Sequence, residues 1–128
     1  MNYKPLSEKP KTFFIDIDGV IIEQGTRWDD GKMPSEHNYI AILDSCEVVN
    51  RWKADGHRIV LTTARAEPLR DRTEWQLEEI GVHYDLLIMG LPNGQRILIN
   101  DLKPNEREIP TAIAINLDRD VGLSGVQL

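Results

Sequence analysis

The chain has 128 residues, of which 41% are hydrophobic and 28% charged, as in an ordinary globular domain large enough to bury a core. Its net charge of −6 provides no basic surface for a polyanion, which weighs against nucleic acid as the main partner. No apolar run approaches the roughly 20 residues of a membrane span. Cys46 is the only cysteine, which excludes an internal disulfide. We therefore expect a cytoplasmic protein with no membrane contact.

Strands and helices are predicted to alternate after a polar N-terminal arm, residues 1–11. A continuous apolar run, as opposed to an alternating one, is typical of parallel strands that are covered on both faces. Asp55-Gly56 and Gly81 are typical helix stops. In chain order we expect a strand over 12–17, a loop over 23–34, a helix from Pro34-Ser35 to Ala54, a strand over 58–62, a helix over 67–80, and strands over 86–89, 96–100 and 111–116.

This order predicts an α/β fold, a Rossmann-like three-layer sandwich with a mostly parallel sheet, formed by residues 12–128 as one domain. One loop and one helix occupy the chain between the first two strands, which leaves no room for a separate cap domain. The joint between the strands over 86–89 and 96–100 is too short for a helical crossover. Asn93-Gly94 would suit a hairpin there. The two strands either pair antiparallel or lie at non-adjacent positions.

Two aspartates at the end of the first strand carry the strongest functional signal. Asp16 and Asp18 share one face, because side chains of a strand alternate with a period of two. Two carboxylates so near each other repel, unless a cation or a shared proton reduces the repulsion. Hard oxygen ligands suit Mg²⁺. The pair therefore predicts a magnesium site.

Two more strands end in polar residues suited to the same site. The second is followed by Thr62-Thr63-Ala64-Arg65, and the fourth by Asn100-Asp101. In an open parallel sheet, ligands bind beyond the carboxyl ends of the strands. We therefore expect these side chains near Asp16 and Asp18.

Asp16-Ile17-Asp18-Gly19, Thr63 and Asp101, in this order, resemble the first, second and fourth motifs of the haloacid dehalogenase superfamily of phosphohydrolases. The resemblance covers about residues 12–116, and the chain is similar to capsule-biosynthesis phosphatases. It implies a Mg²⁺-dependent hydrolase of a small phosphorylated metabolite, with a sugar phosphate favoured. Minimal relatives of this kind often close their sites with a neighbouring subunit, so the resemblance also implies a homo-oligomer.

The resemblance assigns a role to each motif residue. Asp16 would attack phosphorus and form an aspartyl-phosphate, and Asp18 would protonate the leaving oxygen and then activate water. Mg²⁺ would be held by the carboxylates of Asp16 and Asp101 and by the backbone carbonyl of Asp18. Thr63 and backbone N–H groups near Gly19 would donate hydrogen bonds to the phosphoryl group.

The chain departs from this pattern at the third motif, where the family has a lysine. Gly90-Leu91-Pro92 stands where the related phosphatases tend to have Gly-Lys-Pro, and leucine carries no charge. Arg96 is our preferred replacement for the charge of this lysine. Arg65 and Lys103 are the alternatives, and we expect both to contact the substrate. Of the two adjacent threonines, Thr62 is less favoured than Thr63 as the second-motif residue that binds the substrate.

Two other functions stay open at the level of sequence. The missing lysine would also suit a non-catalytic module that binds a phosphosugar or nucleotide. The run Arg72-Thr73-Glu74-Trp75, with Gly81-Val82 and Tyr84-Asp85, is similar to the phosphatase domain of polynucleotide kinases, which would imply a 3′-phosphatase of nucleic-acid ends. Trp28, in the loop after the first motif, is a candidate substrate contact.

Overall fold

A computed structural model describes residues 5–24 and 39–128 of the chain. The residues it describes form one small parallel sheet, two α-helices and two short 3-10 turns. The strands are β1 (Thr12–Asp16), β2 (Arg58–Thr62) and β3 (Leu86–Ile88), the helices are α1 (Leu43–Ala54) and α2 (Arg70–Ile80), and the 3-10 turns span Leu6–Glu8 and Glu67–Leu69.

The sheet has the order β1-β2-β3, and both strand pairs are parallel. Asp16 lies opposite Thr62, and Thr62 lies opposite Ile88. The carboxyl ends of the three strands therefore stand side by side, which brings the polar residues that follow them to one edge. The prediction of an α/β fold with parallel strands is confirmed.

The core is formed by apolar residues of the sheet, both helices and the loop after β1. Ile17, Ile21 and Ile22 of that loop are completely buried, as are Ile59 and Leu61 of β2. The loop after β1 therefore contributes three completely buried side chains to the core. No helix in the described part of the chain has the length and apolarity that crossing a membrane requires.

Both predicted helix stops are confirmed, but α1 begins later than expected. Gly56 and Gly81 adopt positive φ angles of 95° and 76°. The helix starts at Leu43, and the backbone before it pairs with the loop after β1, where the N–H of Ile42 donates to the carbonyl of Ile21 at 2.8 Å. Leu43, the first residue of the helix, is 68% exposed. The predicted start at Pro34-Ser35, most of the loop over 23–34 and Trp28 lie outside the described residues.

The prediction of strands over 96–100 and 111–116 is wrong. No strand or helix is assigned after β3, and Ile97 and Ile99 are 80% and 88% exposed. β-Branched residues favour strands only where they pack against cross-strand neighbours. The hydroxyl of Thr111 in the second segment donates to the carbonyl of Asp101, just after the first segment, at 2.7 Å. Because the strand over 96–100 does not form, neither of the arrangements predicted around Asn93-Gly94, an antiparallel pair or non-adjacent strands, occurs.

A C-terminal segment, residues 117–126, closes the core although it forms no helix or strand. Leu123 is buried, and its N–H donates to the hydroxyl of Ser45 on α1 at 3.0 Å. Gly122 has a φ angle of 92°, and a Cβ there would lie 2.9 Å from the carboxylate oxygens of Asp44. Only glycine avoids both the strained backbone and this clash.

Candidate functional site

A tight turn after β1 presents Asp16 and Asp18 at the carboxyl edge of the sheet. The carbonyl of Ile17 accepts the N–H of Ile22 at 3.0 Å, and the N–H of Gly19 donates to the carbonyl of Ile22 at 2.7 Å. Gly19 is buried and has a φ angle of 93°, which favours glycine. The Gly19 N–H is therefore used within the turn, and any phosphoryl donor near Gly19 would be a neighbouring backbone N–H.

Asp16 keeps exposed surface at the end of β1. One of its oxygens, Oδ1, accepts the N–H of Ile17 at 3.0 Å. Partial burial of the carboxyl raises the pKa of Asp16, and the nearby Asp18 raises it further, whereas the Ile17 N–H and the charge of Arg96 oppose the shift. The second carboxylate oxygen makes no hydrogen bond to the described residues and is the one available to react.

Asp18 is held by a buried arginine. Nε of Arg65 donates to Oδ2 of Asp18 at 2.9 Å, and Nη2 donates to Oδ1 at 2.8 Å. This is a bidentate pair, the strong and geometrically specific form of a carboxylate–guanidinium contact. Arg65 is only 7% exposed. The structure therefore corrects the prediction that Arg65 contacts substrate, because its guanidinium faces Asp18.

The other side of Arg65 is bound by helix α2. Its Nη1 donates to Oγ1 of Thr73 at 3.1 Å and to Oε1 of Gln76 at 2.7 Å, and both of these residues are fully buried. The sequence alone did not single out either residue as a partner of Arg65. A polar pair three residues apart on a buried helix face was the signal that could have found them.

The two threonines after β2 are bound within the fold. Thr63 is buried, and its Oγ1 accepts the N–H of Arg65 at 3.0 Å. Its own N–H donates to the carbonyl of Ile88 at the end of β3. The hydroxyl of Thr62 lies 3.5 Å from the carbonyl of Ile15, at the limit of a hydrogen bond. Thr63 is thus the threonine that joins β2, β3 and the Arg65 turn.

The position of the missing lysine lies directly beside this turn. The N–H of Leu91 donates to the carbonyl of Thr63 at 3.1 Å, and the N–H of Gly90 donates to the carbonyl of Arg65 at 2.7 Å. The Gly90-Leu91 backbone therefore lies at the carboxyl edge of the sheet, where the motif resemblance implies a cation. Leucine supplies none.

Among the cations considered as replacements, Arg96 has an electrostatic effect on Asp16. Its charge lowers the pKa of Asp16, although its Nη1 is also bound to the carbonyls of Pro92 and Gly94 at 2.7 Å each. Lys103 is exposed, with its Nζ 4.0 Å from a carboxylate oxygen of Asp101. Of the three predicted cations, Arg96 is the one whose charge lowers the pKa of Asp16.

The oxygen atoms that could hold a metal are partly assembled. The carbonyl of Asp18 and the second carboxylate oxygen of Asp16 accept no hydrogen bond from the described residues, and both are hard donors of the kind Mg²⁺ prefers. Asp101 is exposed on the segment after β3. No group of three or more His, Cys, Asp or Glu side chains suited to a metal occurs in residues 5–24 and 39–128. The predicted ligand set, two carboxylates and one carbonyl, does not require such a group.

The C-terminal segment also contacts the turn after β1, which sequence reasoning did not foresee. The N–H of Asp120 donates to the carbonyl of Gly19, and a carboxylate oxygen of Asp120 accepts the N–H of Gln24, both at 2.8 Å. Cγ of Arg119 lies 3.6 Å from where a Cβ on Gly19 would be. The segment therefore braces the turn that carries Asp16 and Asp18.

No model of a known protein family matches the chain, and no curated protein matches it. Solved structures do match. A chain of a Pnkp1/Rnl/Hen1 complex is 24% identical with a TM-score of 0.54, over 71% of this chain and 31% of that one. A chain of the Pnkp1/Rnl/Hen1 RNA repair complex is 25% identical with a TM-score of 0.52, over 68% and 28%. A crystal structure of a target protein from Vibrio cholerae is 19% identical with a TM-score of 0.49, over 82% and 90%.

The matches to the two complexes show that the α/β fold of this chain recurs in solved structures. The chain spans less than a third of the length of the matched chain in each complex.

Proposed function

We propose that the protein hydrolyses a phosphate monoester, with Asp16 as the nucleophile. The observation that carries the proposal is the edge of the sheet itself, where one oxygen of Asp16 accepts no hydrogen bond from residues 5–24 and 39–128, beside an Asp18 that Arg65 holds in place. Attack by this oxygen on phosphorus would form an aspartyl-phosphate and break the bond to the leaving oxygen. Dividing the displacement into two steps in this way lowers the barrier of each.

Asp18 would move the proton in both steps. It would protonate the leaving oxygen in the first step. In the second it would accept a proton from the water that attacks phosphorus and releases the Asp16 carboxylate. Each carboxylate oxygen has two lone pairs, so the two bonds from Arg65 leave sites at which Asp18 can carry this proton.

The oxygen donors at this site are of the chemical type that Mg²⁺ binds. Asp16 and the carbonyl of Asp18 would hold it, with Asp101 as the third protein ligand that the motif resemblance implies. When bound, Mg²⁺ would neutralise phosphate charge and align the phosphoryl group for in-line attack. Arg96 and the hydroxyl of Thr63 would add to this stabilisation.

The substrate is a phosphorylated small molecule in our first proposal, and a sugar phosphate is favoured by the resemblance to capsule-biosynthesis phosphatases. The same resemblance supports membership of the haloacid dehalogenase superfamily and the fuller three-layer sandwich. The acidic composition of the chain agrees with a small substrate.

A second candidate substrate is a phosphate at the end of a nucleic acid. It is supported by the likeness to a chain of an RNA repair complex, together with the sequence run that resembles the phosphatase domain of polynucleotide kinases. Partner proteins are part of the same proposal, since the matched chain belongs to a complex.

The test is phosphate release from a panel of sugar phosphates, nucleotides and a 3′-phosphorylated oligonucleotide, with Mg²⁺ or with a chelator. Asp16→Asn should abolish release, because the amide is not a nucleophile, and Asp118→Asn on the exposed C-terminal segment is the matched control. Release by Asp16→Asn at the wild-type rate would refute the nucleophile assignment. Binding of phosphorylated ligands without any release would indicate the non-catalytic module, and Leu91 would explain it.

A further inference from the structure

Arg65 is bound on one side by the partly buried Asp18 and on the other by two buried side chains of α2. One edge of its guanidinium binds both oxygens of Asp18, and Nη1 on the opposite side binds Thr73 and Gln76. Nη1 carries two N–H groups, so the two acceptors on α2 match its two donors. The guanidinium therefore connects the turn after β1 to helix α2.

The two helix residues gain their place in the core through this contact. Thr73 and Gln76 are both 0% exposed, and a buried polar side chain is costly unless it is hydrogen-bonded. Three residues apart on α2, they lie on one face of the helix and point at the same nitrogen. An apolar pair at these positions would fill the core as well, so their polarity serves the arginine.

An arginine side chain has a long flexible stem, and the pair with Asp18 by itself fixes only their mutual geometry. The bonds to Thr73 and Gln76 fix the guanidinium relative to a helix, and so fix Asp18 relative to the sheet edge and to Asp16. A carboxylate that must deliver a proton to a leaving oxygen works only within a narrow range of position.

We propose that Thr73 and Gln76 are positioning residues that orient Asp18 through Arg65. The inference rests on the proposed function, because it concerns the proton that Asp18 transfers. It assigns helix α2 a part in the reaction through two buried side chains that act on Asp18 by way of Arg65.

The experiment compares two substrates whose leaving oxygens differ in their need for a proton. An alkyl phosphate needs protonation by Asp18, whereas p-nitrophenyl phosphate has a leaving oxygen that departs as a stable anion. Thr73→Val keeps the size of the side chain and removes Oγ1, and Thr73→Ser keeps Oγ1 as the matched control. The readout is kcat/KM, which reports the steps up to phosphoryl transfer.

Thr73→Val should lower kcat/KM for the alkyl phosphate by about tenfold or more, since general acid catalysis contributes roughly 10²-fold to 10⁴-fold. For p-nitrophenyl phosphate it should change kcat/KM by no more than about threefold, because that substrate needs little of this contribution. Thr73→Ser should restore the alkyl phosphate rate. A purely structural role would lower both rates together.

Equal losses on the two substrates, or failure of Thr73→Ser to restore activity, would overturn the positioning role while leaving the proposed function intact. A wild-type protein that releases phosphate from neither substrate would overturn the proposed function, and this inference with it. If near-ultraviolet circular dichroism shows that Thr73→Val is unfolded, Gln76→Met against Gln76→Glu provides the same comparison, because glutamate keeps an acceptor for Nη1.

Discussion

Arg65 shows how the neighbours of a residue decide its chemistry. An arginine three residues beyond a strand end is, by its sequence position, a reasonable phosphate ligand. In the fold its three nitrogens are bound to Asp18, Thr73 and Gln76, so its charge is used inside the protein. A bidentate arginine of this kind orients a carboxylate in a way that lysine could not, because lysine lacks the planar fork.

Leu91 gives the residue-scale prediction. Its backbone N–H donates to Thr63 at the position where the phosphatases that the sequence resembles tend to have a lysine. Leu91→Lys should place a cation at the phosphate side of the site and raise kcat/KM about tenfold or more, since a single stabilising donor is worth roughly 10²-fold to 10³-fold in such sites. Steady-state phosphate release measures the effect. Leu91→Met is the size control, and equal rates for the two variants would show that another group, such as Arg96, already provides this charge.

At the scale of elements, the start of α1 shows where periodicity misleads. The apolar spacing predicts a helix through Tyr39 and Ile42, but the backbone of Ile42 pairs with Ile21 and is extended, with ψ near 92°. Pairing with the turn after β1 satisfies backbone groups that the helix would otherwise have used. The same turn then carries Asp16 and Asp18, so the late start of the helix helps to build the site.

Asp85 ties two elements to each other just before β3. One carboxylate oxygen accepts the N–H of Ile59 in β2, and the other accepts Nζ of Lys53 in α1, both at 2.8 Å. The backbone N–H of Ile59, and after it the ammonium of Lys53, hold the pKa of Asp85 below its ordinary value. A carboxyl whose pKa is lowered by folding stabilises the native state above the unfolded pKa, and this contribution disappears as the pH falls through the folded pKa.

Asp85→Asn should therefore lower the free energy of unfolding at pH 7. Its difference from wild type should shrink as the pH falls below the ordinary range of aspartate. Urea unfolding at a series of pH values measures both quantities, with exposed Asp118→Asn as the control. A difference that is independent of pH would mean that the charge of Asp85 contributes nothing.

At the scale of the whole molecule, a C-terminal segment without regular structure completes the core. Leu123 lies in the core cluster, and Asp120 contacts the turn that carries the two aspartates. The segment therefore links overall stability to the geometry of the site.

Leu123→Ala should lower the free energy of unfolding by about 2–5 kcal/mol, the usual range for removing a buried leucine side chain. Leu128→Ala is the control, because that leucine is exposed just beyond the segment and should change stability by no more than about 0.5 kcal/mol. Urea denaturation measures both changes in the free energy of unfolding, with the same m value expected for the variants and the wild type. If the two variants lost the same free energy, the segment would not be part of the cooperative core.

Much of the site could be predicted from local sequence. Asp16 ends a continuous apolar strand and Asp18 follows it by two residues, so a strand end is enough to predict that both carboxylates lie near one edge of the sheet. Gly56 and Gly81 end helices for an equally local reason, the freedom of glycine at positive φ. These signals depend on a few neighbouring residues, and so they can be interpreted without knowing the fold.

The segments over 96–100 and 111–116 show the opposite case. Their composition is that of strands, but a strand exists only where another backbone offers a ladder of hydrogen bonds, and in the described structure these segments have none. Partner choice depends on residues far away in the sequence. Propensity alone could not supply it.

The sequence by itself determined the parallel α/β character, the helix stops and the two aspartates at a strand end, because each depends on short-range periodicity or backbone freedom. Only the tertiary structure decided that Arg65 serves Asp18, that Thr73 and Gln76 hold Arg65, and that residues 117–126 brace the turn after β1. Hydrogen bonds between Arg65 and Asp18 join residues 47 positions apart, and no local pattern encodes such a contact. The physical reason is that local propensity acts along the chain, whereas burial and charge pairing act across it.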